Sequence, residues 1–157
     1  MASEIKVDTI VNAGGDNDTG IDLATNDQIL LKVANATKLT MNSTGQTTIV
    51  GEGGTNTTSV QQGLTKAWIE FDNTGTVAIN DSFNYSGVTD DGTGQMNVAF
   101  TTNMGNANYS IQTHDTLYGL GWSDTDGTSG YDTRRTNQSF AYVDIAEVWS
   151  NVHGDLA

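Results

Sequence analysis

Hydrophobic and polar positions alternate along several short stretches of this chain, with the period of two that is typical of half-buried β-strands. In the first stretch, residues 3–11, the apolar residues Ile5, Val7 and Val11 alternate with charged side chains. Further aliphatic stretches follow, separated by turns rich in Asn and Gly; they cover residues 21–24, 28–33, 38–41 and 47–51. The pattern predicts an all-β protein that begins with a strand.

From Leu64 onward the alternating positions carry aromatic side chains. Residues 67, 69 and 71 are apolar and fall on one face of a strand, whereas Trp68, Glu70 and Asp72 fall on the other. The pattern predicts further strands at residues 76–80, 83–88, 95–100, 109–113 and 139–149. Residues 141–149 also fit a helix. Short antiparallel strands at this spacing predict a β-sandwich of the jelly-roll type.

The aromatic residues divide the chain into two parts. All twelve lie between Trp68 and Trp149, and residues 1–67 contain none. Aromatic side chains supply the largest single contributions to buried area, so the N-terminal part has little with which to build a core alone. We therefore predict an N-terminal β-segment over residues 1–50, a Gly/Thr-rich linker over 51–63 and a β-sandwich over 64–157.

The N-terminal part is expected to gain its buried area from other copies of the same chain. Three copies of its aliphatic side chains could close a thin core on a threefold axis that one copy cannot form. These trimer-core candidates are Leu31, Val33, Leu39, Met41 and Ile49. The alternative is a small hairpin that packs against the C-terminal domain.

Composition and charge exclude several classes of function. Thr, Gly, Asn and Ser together make up 67 of the 157 residues, and Pro and Cys are absent, so a disulfide framework or a thiolate metal site is excluded. The formal net charge is −13, of which residues 68–157 contribute −10 through twelve acidic residues and two arginines. Such an acidic domain repels phosphate backbones, so we expect no nucleic-acid partner. No apolar run reaches the length of about 18 residues that spans a membrane, so we expect no membrane insertion.

A glycine-rich stretch at residues 118–131 is the candidate receptor-contact surface. It combines aromatic rings with Asp and Ser side chains, which is the pairing of a stacking face and polar groups that a sugar needs. The candidate contact residues are Tyr118, Trp122, Asp124 and Tyr131. The alternative is that Trp122 is a partly buried core residue in a loop that is merely long.

Carboxylates in the same stretch form a candidate calcium site. Asp124, Asp126 and Asp132 surround two glycines, as in loops that wrap oxygen ligands about Ca²⁺. The EF-hand spacing and its terminal Glu are missing, so solvated turns of an acidic protein account for the same residues. No other cofactor is expected.

Catalytic residues are not expected. The chain has only two histidines, and His114 with its strand neighbours lacks the convergent geometry of a triad. Glu70 and Glu147 would form a glycosidase-like acid and base only if they were neighbours on adjacent strands. Arg134 and Arg135 are the only cationic pair of the acidic half, and we expect an ordinary exposed pair or a contact with a carboxylate.

Two segments resemble proteins of tailed phages. The residues Lys38-Leu-Thr-Met-Asn-Ser-Thr-Gly45, followed by Ile49 and Gly51, are similar to stalk segments of trimeric phage fibres and spikes. Residues 66–100, with Lys66-Ala-Trp-Ile-Glu-Phe-Asp-Asn-Thr-Gly75 at their start, resemble a module of tail-fibre-like structural proteins from marine tailed phages. The resemblance covers about 50 residues and fades over residues 116–137.

The resemblance implies a non-enzymatic structural protein of the virion. We expect a homotrimeric fibre or spike-like component that attaches to other virion proteins, of the capsid or the tail, through an N-terminal strand with Ile5, Val7 and Val11. Its C-terminal domain would contact the host surface, where a glycan is the expected ligand. The alternatives are a capsid decoration protein that stabilises the shell and, in another class, a carbohydrate-binding lectin module or a glycan-cleaving enzyme.

Overall fold

A computed structural model of the chain describes residues 7–12, 18–51, 53–118, 121–125 and 127–156. The chain divides into two compact units, Met1–Gly63 and Leu64–Ala157. Both are built from antiparallel strands, so the prediction of an all-β fold is confirmed. Among the described residues, no helix has the length and apolar character needed to cross a membrane.

The N-terminal unit is a six-stranded meander in which each strand pairs with the next along the chain. Its strands are β1 (Thr9–Val11), β2 (Gly20–Asp22), β3 (Ile29–Val33), β4 (Ala36–Met41), β5 (Thr47–Val50) and β6 (Thr57–Ser59). A single helical turn, α1 (Val60–Gly63), follows. The last strand and α1 lie inside the stretch predicted as a linker, because the Thr-rich residues 57–59 pair with β5.

Short polar turns fix the register of this sheet. Ala34 and Asn35 connect β3 to β4 and both have positive φ, as a two-residue hairpin turn of type I′ requires. Between β4 and β5, the side-chain carboxamide oxygen of Asn42 accepts hydrogen bonds from the backbone N–H groups of Thr44 and Gln46. These local bonds hold adjacent strands in pairing without a large core.

The C-terminal unit is a β-sandwich of two four-stranded sheets. Its strands are β7 (Thr65–Asp72), β8 (Ala78–Phe83), β9 (Tyr85–Gly92), β10 (Gln95–Phe100), β11 (Ser110–Asp115), β12 (Gly121–Thr125), β13 (Gly130–Arg135) and β14 (Val148–His153). We call the sheet with the order β12-β13-β10-β9 the front sheet, and the sheet with the order β11-β14-β7-β8 the back sheet.

The core lies between these two sheets and is filled by their alternate residues. β7 contributes Ala67, Ile69 and Phe71, all at most 1% exposed, as the alternation predicted. Tyr85 and Tyr131 meet in the interior, where their hydroxyl oxygens lie 3.0 Å apart. Burial raises the pKa of both phenols above the ordinary value, so both hydroxyls stay protonated and act as hydrogen-bonding groups.

Two parts of the sandwich differ from the sequence prediction. Residues 139–149 are neither one strand nor a helix: the chain runs irregularly until β14 begins at Val148. This irregular segment is held by Asn73, whose side-chain oxygen accepts a hydrogen bond from the Ile145 N–H at 2.6 Å. In contrast, the stretch around residues 118–131, predicted as a loop, contains β12 and β13 paired as a hairpin.

Candidate functional site

The outward surface of the front sheet, which we call the front face, gathers several of the residues singled out in the sequence. In the pairing register, Trp122 of β12 lies opposite Arg134 of β13, and Arg134 lies opposite Gln95 of β10. In the next row, Asp132 lies between Asp124 and Asn97. Residues directly opposite on antiparallel strands share a face, so all six side chains point away from the core.

Asp132 is the centre of a polar network on this face. One of its carboxylate oxygens accepts a hydrogen bond from the Asn97 carboxamide at 3.0 Å, and the other accepts one from the Arg134 guanidinium at 3.2 Å. The guanidinium also lies 3.9 Å from the carboxylate of Asp124. A carboxylate held from both sides fixes the orientation of the Arg134 fork, which retains further N–H donors for a ligand.

An aromatic pair borders this network. The rings of Trp122 and Tyr142 lie 6.1 Å apart at an interplanar angle of 45°. Both side chains are more than two-fifths exposed, so their surfaces are open to solvent. Tyr142 reaches this position because it forms a bridge with Thr136, the residue that follows β13. The rings offer a stacking surface beside fixed donors and acceptors, the combination that recognises a sugar.

The two adjacent arginines have opposite surroundings because neighbouring residues of a strand face opposite sides. Arg134 points outward, whereas Arg135 is 2% exposed and lies in the core. Its guanidinium donates a hydrogen bond to the Thr133 hydroxyl at 2.7 Å and lies 3.7 Å from the carboxylate of Asp115 on β11. Burial lowers the pKa of Arg135, and the charge of Asp115 opposes that effect. This pair ties the front sheet to the back sheet directly beneath the front face.

Tyr131 does not belong to the contact surface. It is fully buried, because the alternation of β13 directs it into the core together with Thr133 and Arg135. Tyr118 is exposed in the segment after β11, where its backbone N–H donates a hydrogen bond to Asp115 at 2.7 Å. Of the four residues predicted to contact a receptor, Trp122 and Asp124 therefore share the front face.

The candidate calcium ligands are only partly brought together. Asp124 and Asp132 are direct neighbours across β12 and β13, whereas Asp126 lies outside the described residues. Within the described ranges, no three His, Cys, Asp or Glu side chains converge as a metal site requires. Arg134 occupies the space beside both described carboxylates.

The N-terminal sheet carries a second surface of interest, which we call the apolar row. It crosses five consecutive strands in register, each member lying opposite the next. Its members are Ile10, Ile21, Leu31, Leu39 and Ile49. The neighbouring row on the opposite face consists of Thr9, Asp22, Leu30, Thr40 and Thr48. One face is thus aliphatic and the other mainly polar.

Three of the five members of the apolar row are exposed in the single chain, and Ile21 and Leu39 are half-buried. Ile10 is 53% exposed, and Leu31 and Ile49 are each 38% exposed. Val33 and Met41, the other trimer-core candidates, are exposed on the same face. An exposed aliphatic face of this extent is unusual on a monomeric protein and is typical of an interaction surface.

The predicted attachment strand lies partly outside the described residues. Ile5 is among those not described, while Val7 and Val11 are exposed. β1 begins only at Thr9, and Val11 shares the face of Thr9 and not that of Ile10. Ile10, which the sequence pattern did not single out, is therefore the residue by which β1 joins the apolar row.

The sequence pattern does not single out Tyr142 or Asn97, whereas the contact of Arg134 with carboxylates is one of the two arrangements expected for the arginine pair. The pattern predicts a continuous strand or helix around Tyr142, but in the structure its contact with Trp122 joins positions 20 residues apart through an irregular segment. A hint was available in the even spacing of Trp122 and Asp124, and of Asp132 and Arg134, since i and i+2 share a face of a strand.

No family model matches the chain, and no curated protein matches its sequence. Among solved structures, the fold is similar to the phiAB6 tailspike in complex with three-repeated oligosaccharides of Acinetobacter baumannii surface polysaccharide, with a TM-score of 0.48 and 11% identity over 93% of this chain. The chain spans 38% of the length of that tailspike.

Proposed function

We propose that this protein is a non-enzymatic structural component of a tailed-phage virion, a homotrimer that contacts the host surface. The observation that carries the proposal is the apolar row, an in-register aliphatic stripe that one chain leaves exposed. Three copies would bury this face around a common axis, which fits the resemblance of residues 38–51 to trimeric stalk segments. The N-terminal unit would assemble the trimer and attach it to other virion proteins.

Burial of the apolar row supplies the driving force for this assembly. Removing aliphatic surface from water contributes about 25 cal/mol per Å², and each copy adds the same side chains. The polar row on the opposite face, with Asp22, Thr40 and Thr48, would remain hydrated and keep the trimer soluble. The expected result is a particle of three chains at micromolar concentration, measured by analytical ultracentrifugation.

Host contact is proposed for the front face. Trp122 and Tyr142 would stack on a sugar ring while Arg134 and Asn97, both fixed by Asp132, donate hydrogen bonds to its hydroxyl groups. The polar and aromatic character of this face favours a carbohydrate over an apolar protein surface.

The front face is tested by replacing Trp122 with Ala and measuring adsorption of the fluorescent trimer to host cells. We expect at least about a fivefold loss of binding, since an alanine in place of a stacking aromatic removes about 1–3 kcal/mol. Leu117→Ala is the control, because Leu117 is 63% exposed and follows β11 of the back sheet. Adsorption that is unchanged in the Trp122 variant would contradict a contact at this face.

The location of the protein on the virion distinguishes a tail fibre from a capsid decoration protein. Gold-labelled antibody against the sandwich should mark the tail in electron micrographs. Uniform label over the capsid shell would support the decoration role and would leave the trimer proposal intact.

A further inference from the structure

We propose that the outward surface of the back sheet is a second carbohydrate-binding surface, specific for glycan chains without acidic groups. We call this surface the back face; it is formed by Trp68, Trp149, Phe83, Glu70 and their neighbours. The proposal rests on the proposed adhesive function and adds a separate surface and a ligand class. The four named residues of the back face lie in strands predicted from the sequence pattern, and none of them belongs to the front face.

The register of the back sheet places aromatic and polar side chains in two adjoining rows. Each row crosses the four strands in the order β11, β14, β7, β8. The first row consists of His114, Trp149, Glu70 and Asp81. The second row consists of Gln112, Asn151, Trp68 and Phe83. The two tryptophans are diagonal neighbours on adjacent strands. Glu70 and Asn151 occupy the other diagonal, so each tryptophan has a carboxylate and an amide beside it.

These aromatic rings face solvent. Trp68 is 37% exposed and Phe83 is 51% exposed, and the two lie directly opposite each other on β7 and β8. The His114 ring stacks on Trp149 with an interplanar angle of 18° and a separation of 6.1 Å, which orients both rings. Burial explains the inward residues of these strands, but nothing in the core of the sandwich requires aromatic side chains on the outward face.

The dimensions of the back face suit an extended oligosaccharide. Adjacent strands lie about 4.8 Å apart, so the four strands span about 14 Å from β11 to β8. A glycan that runs across the strands would meet a ring at each step, with the amides of Gln112 and Asn151 and the carboxylate of Glu70 available to its hydroxyl groups. The Glu70 carboxylate already accepts a hydrogen bond from Asn80 at 3.3 Å, which positions it.

Charge selects the class of glycan. Glu70 and Asp81 bring two carboxylates to the eight positions of the two rows, and none of those positions holds Lys or Arg. Uronic acids or phosphates would be repelled, whereas neutral sugars and amine-bearing sugars complement the face. A second copy of this chain packed face to face fits poorly, because it would bring the same carboxylates together and remove them from water. A contact between two different surfaces within the trimer would instead change the oligomeric mass of Trp68→Ala.

The test uses the protein of residues 1–157 in the assembly that it forms in solution, and quenching of its tryptophan fluorescence by defined probes. The probes are an N-acetylated chito-oligosaccharide, its deacetylated cationic form and a polygalacturonate oligomer of similar length. We expect the first or second probe to bind and the polygalacturonate to bind at least about tenfold more weakly. Trp68→Ala and, separately, Phe83→Ala should each weaken binding by about tenfold, and Trp68→Phe should restore part of it.

Controls keep this proposal separate from the proposed function. Phe140→Ala removes an aromatic residue that is 80% exposed outside both strand rows and should bind as the unaltered protein does. If Trp122→Ala abolishes binding of every probe and the Trp68 and Phe83 variants do not, the back face proposal is overturned while the front face stands. The back face proposal is also overturned if none of the probes binds. A change of oligomeric mass in Trp68→Ala overturns it as well, because that change would identify the back face as a subunit interface.

Discussion

At the scale of single residues, the sandwich depends on polar side chains in unusual places. Arg135 and Asp115 form a charged pair in the core, at 2% exposure each, directly beneath the front face. Asp115 also accepts hydrogen bonds from the backbone N–H groups of Leu117 and Tyr118. The pair therefore couples the two sheets and fixes the segment that follows β11.

Removal of one member of this pair should destabilise the sandwich strongly. Arg135→Met leaves the Asp115 carboxylate buried without its cationic partner, which costs about 3–5 kcal/mol. The double variant Arg135→Met, Asp115→Asn should recover most of that loss, since neither charge of the pair remains in the core and the amide oxygen can still accept the backbone hydrogen bonds of Leu117 and Tyr118. Urea denaturation of the three proteins measures the effect. A loss below about 1 kcal/mol in the single variant would contradict an ion pair that contributes to the core.

Asn84 connects the two sheets at the turn between β8 and β9. It has a positive φ of 62°, and its carboxamide donates to the carbonyl oxygens of Lys66 and Thr102 while accepting from the Thr102 N–H. Asn tolerates this left-handed conformation better than other side chains of its size.

Substitutions of Asn84 separate backbone strain from hydrogen bonding. Asn84→Gly loses the side-chain bonds but adopts the positive φ freely, so we expect a loss of about 1–2 kcal/mol. Asn84→Ala loses the same bonds and should cost about 1 kcal/mol more, because of its strained conformation. Thermal and chemical denaturation compare the two. Equal stability of the Gly and Ala variants would show that strain plays no part.

At the scale of elements, the alternation of apolar residues predicted β7 and β10 well, because inward positions such as Phe71 and Val98 are apolar and buried. It failed for β13, whose inward positions include Thr133 and Arg135. The apolar residues of 139–149 predicted a strand, but Phe140 is 80% exposed in an irregular segment. Polar core residues and long-range contacts cannot be inferred from a period of two.

The polar face of the N-terminal sheet should make that sheet sensitive to acid. Lys32 donates a hydrogen bond to Asp22 at 2.5 Å, which lowers the pKa of Asp22 below its ordinary value. A lowered pKa stabilises the folded state above the ordinary pKa, and this stabilisation is lost as the pH falls through the lowered value.

Asp22→Asn should therefore reduce the difference in melting temperature between about pH 7 and about pH 3. The reason is that Asn cannot release a proton and gains nothing from the charge of Lys32 at neutral pH. Asp27→Asn is the matched control, since the hydrogen bond that the Asp27 carboxylate accepts comes from the uncharged carboxamide of Asn26. An equal pH difference in the Asp22 variant and the unaltered protein would refute a role for this pair.

At the scale of the whole molecule, the central claim is that the exposed apolar row becomes buried between copies. The lack of aromatic residues in residues 1–67 by itself indicates that this part needs buried area from other copies. The register of the meander explains how five strands place their aliphatic side chains on one face for that purpose. What the sequence pattern lacked was the pairing, which brings Ile10 and Ile21 into the same row as Leu31.

Adjacent leucines of β3 allow the claim to be tested on either face of one strand. Leu31 belongs to the apolar row, whereas Leu30 belongs to the mainly polar row. Leu31→Asp would place three carboxylates near the proposed axis, which opposes association, while Leu30→Asp adds the same charge on the other face.

The most direct measurement is therefore the mass of these proteins by sedimentation equilibrium at micromolar concentration. The account predicts three times the chain mass of 16.6 kDa for the unaltered protein and for Leu30→Asp, and the mass of one chain for Leu31→Asp. An unaltered protein that sediments as a monomer would contradict the account.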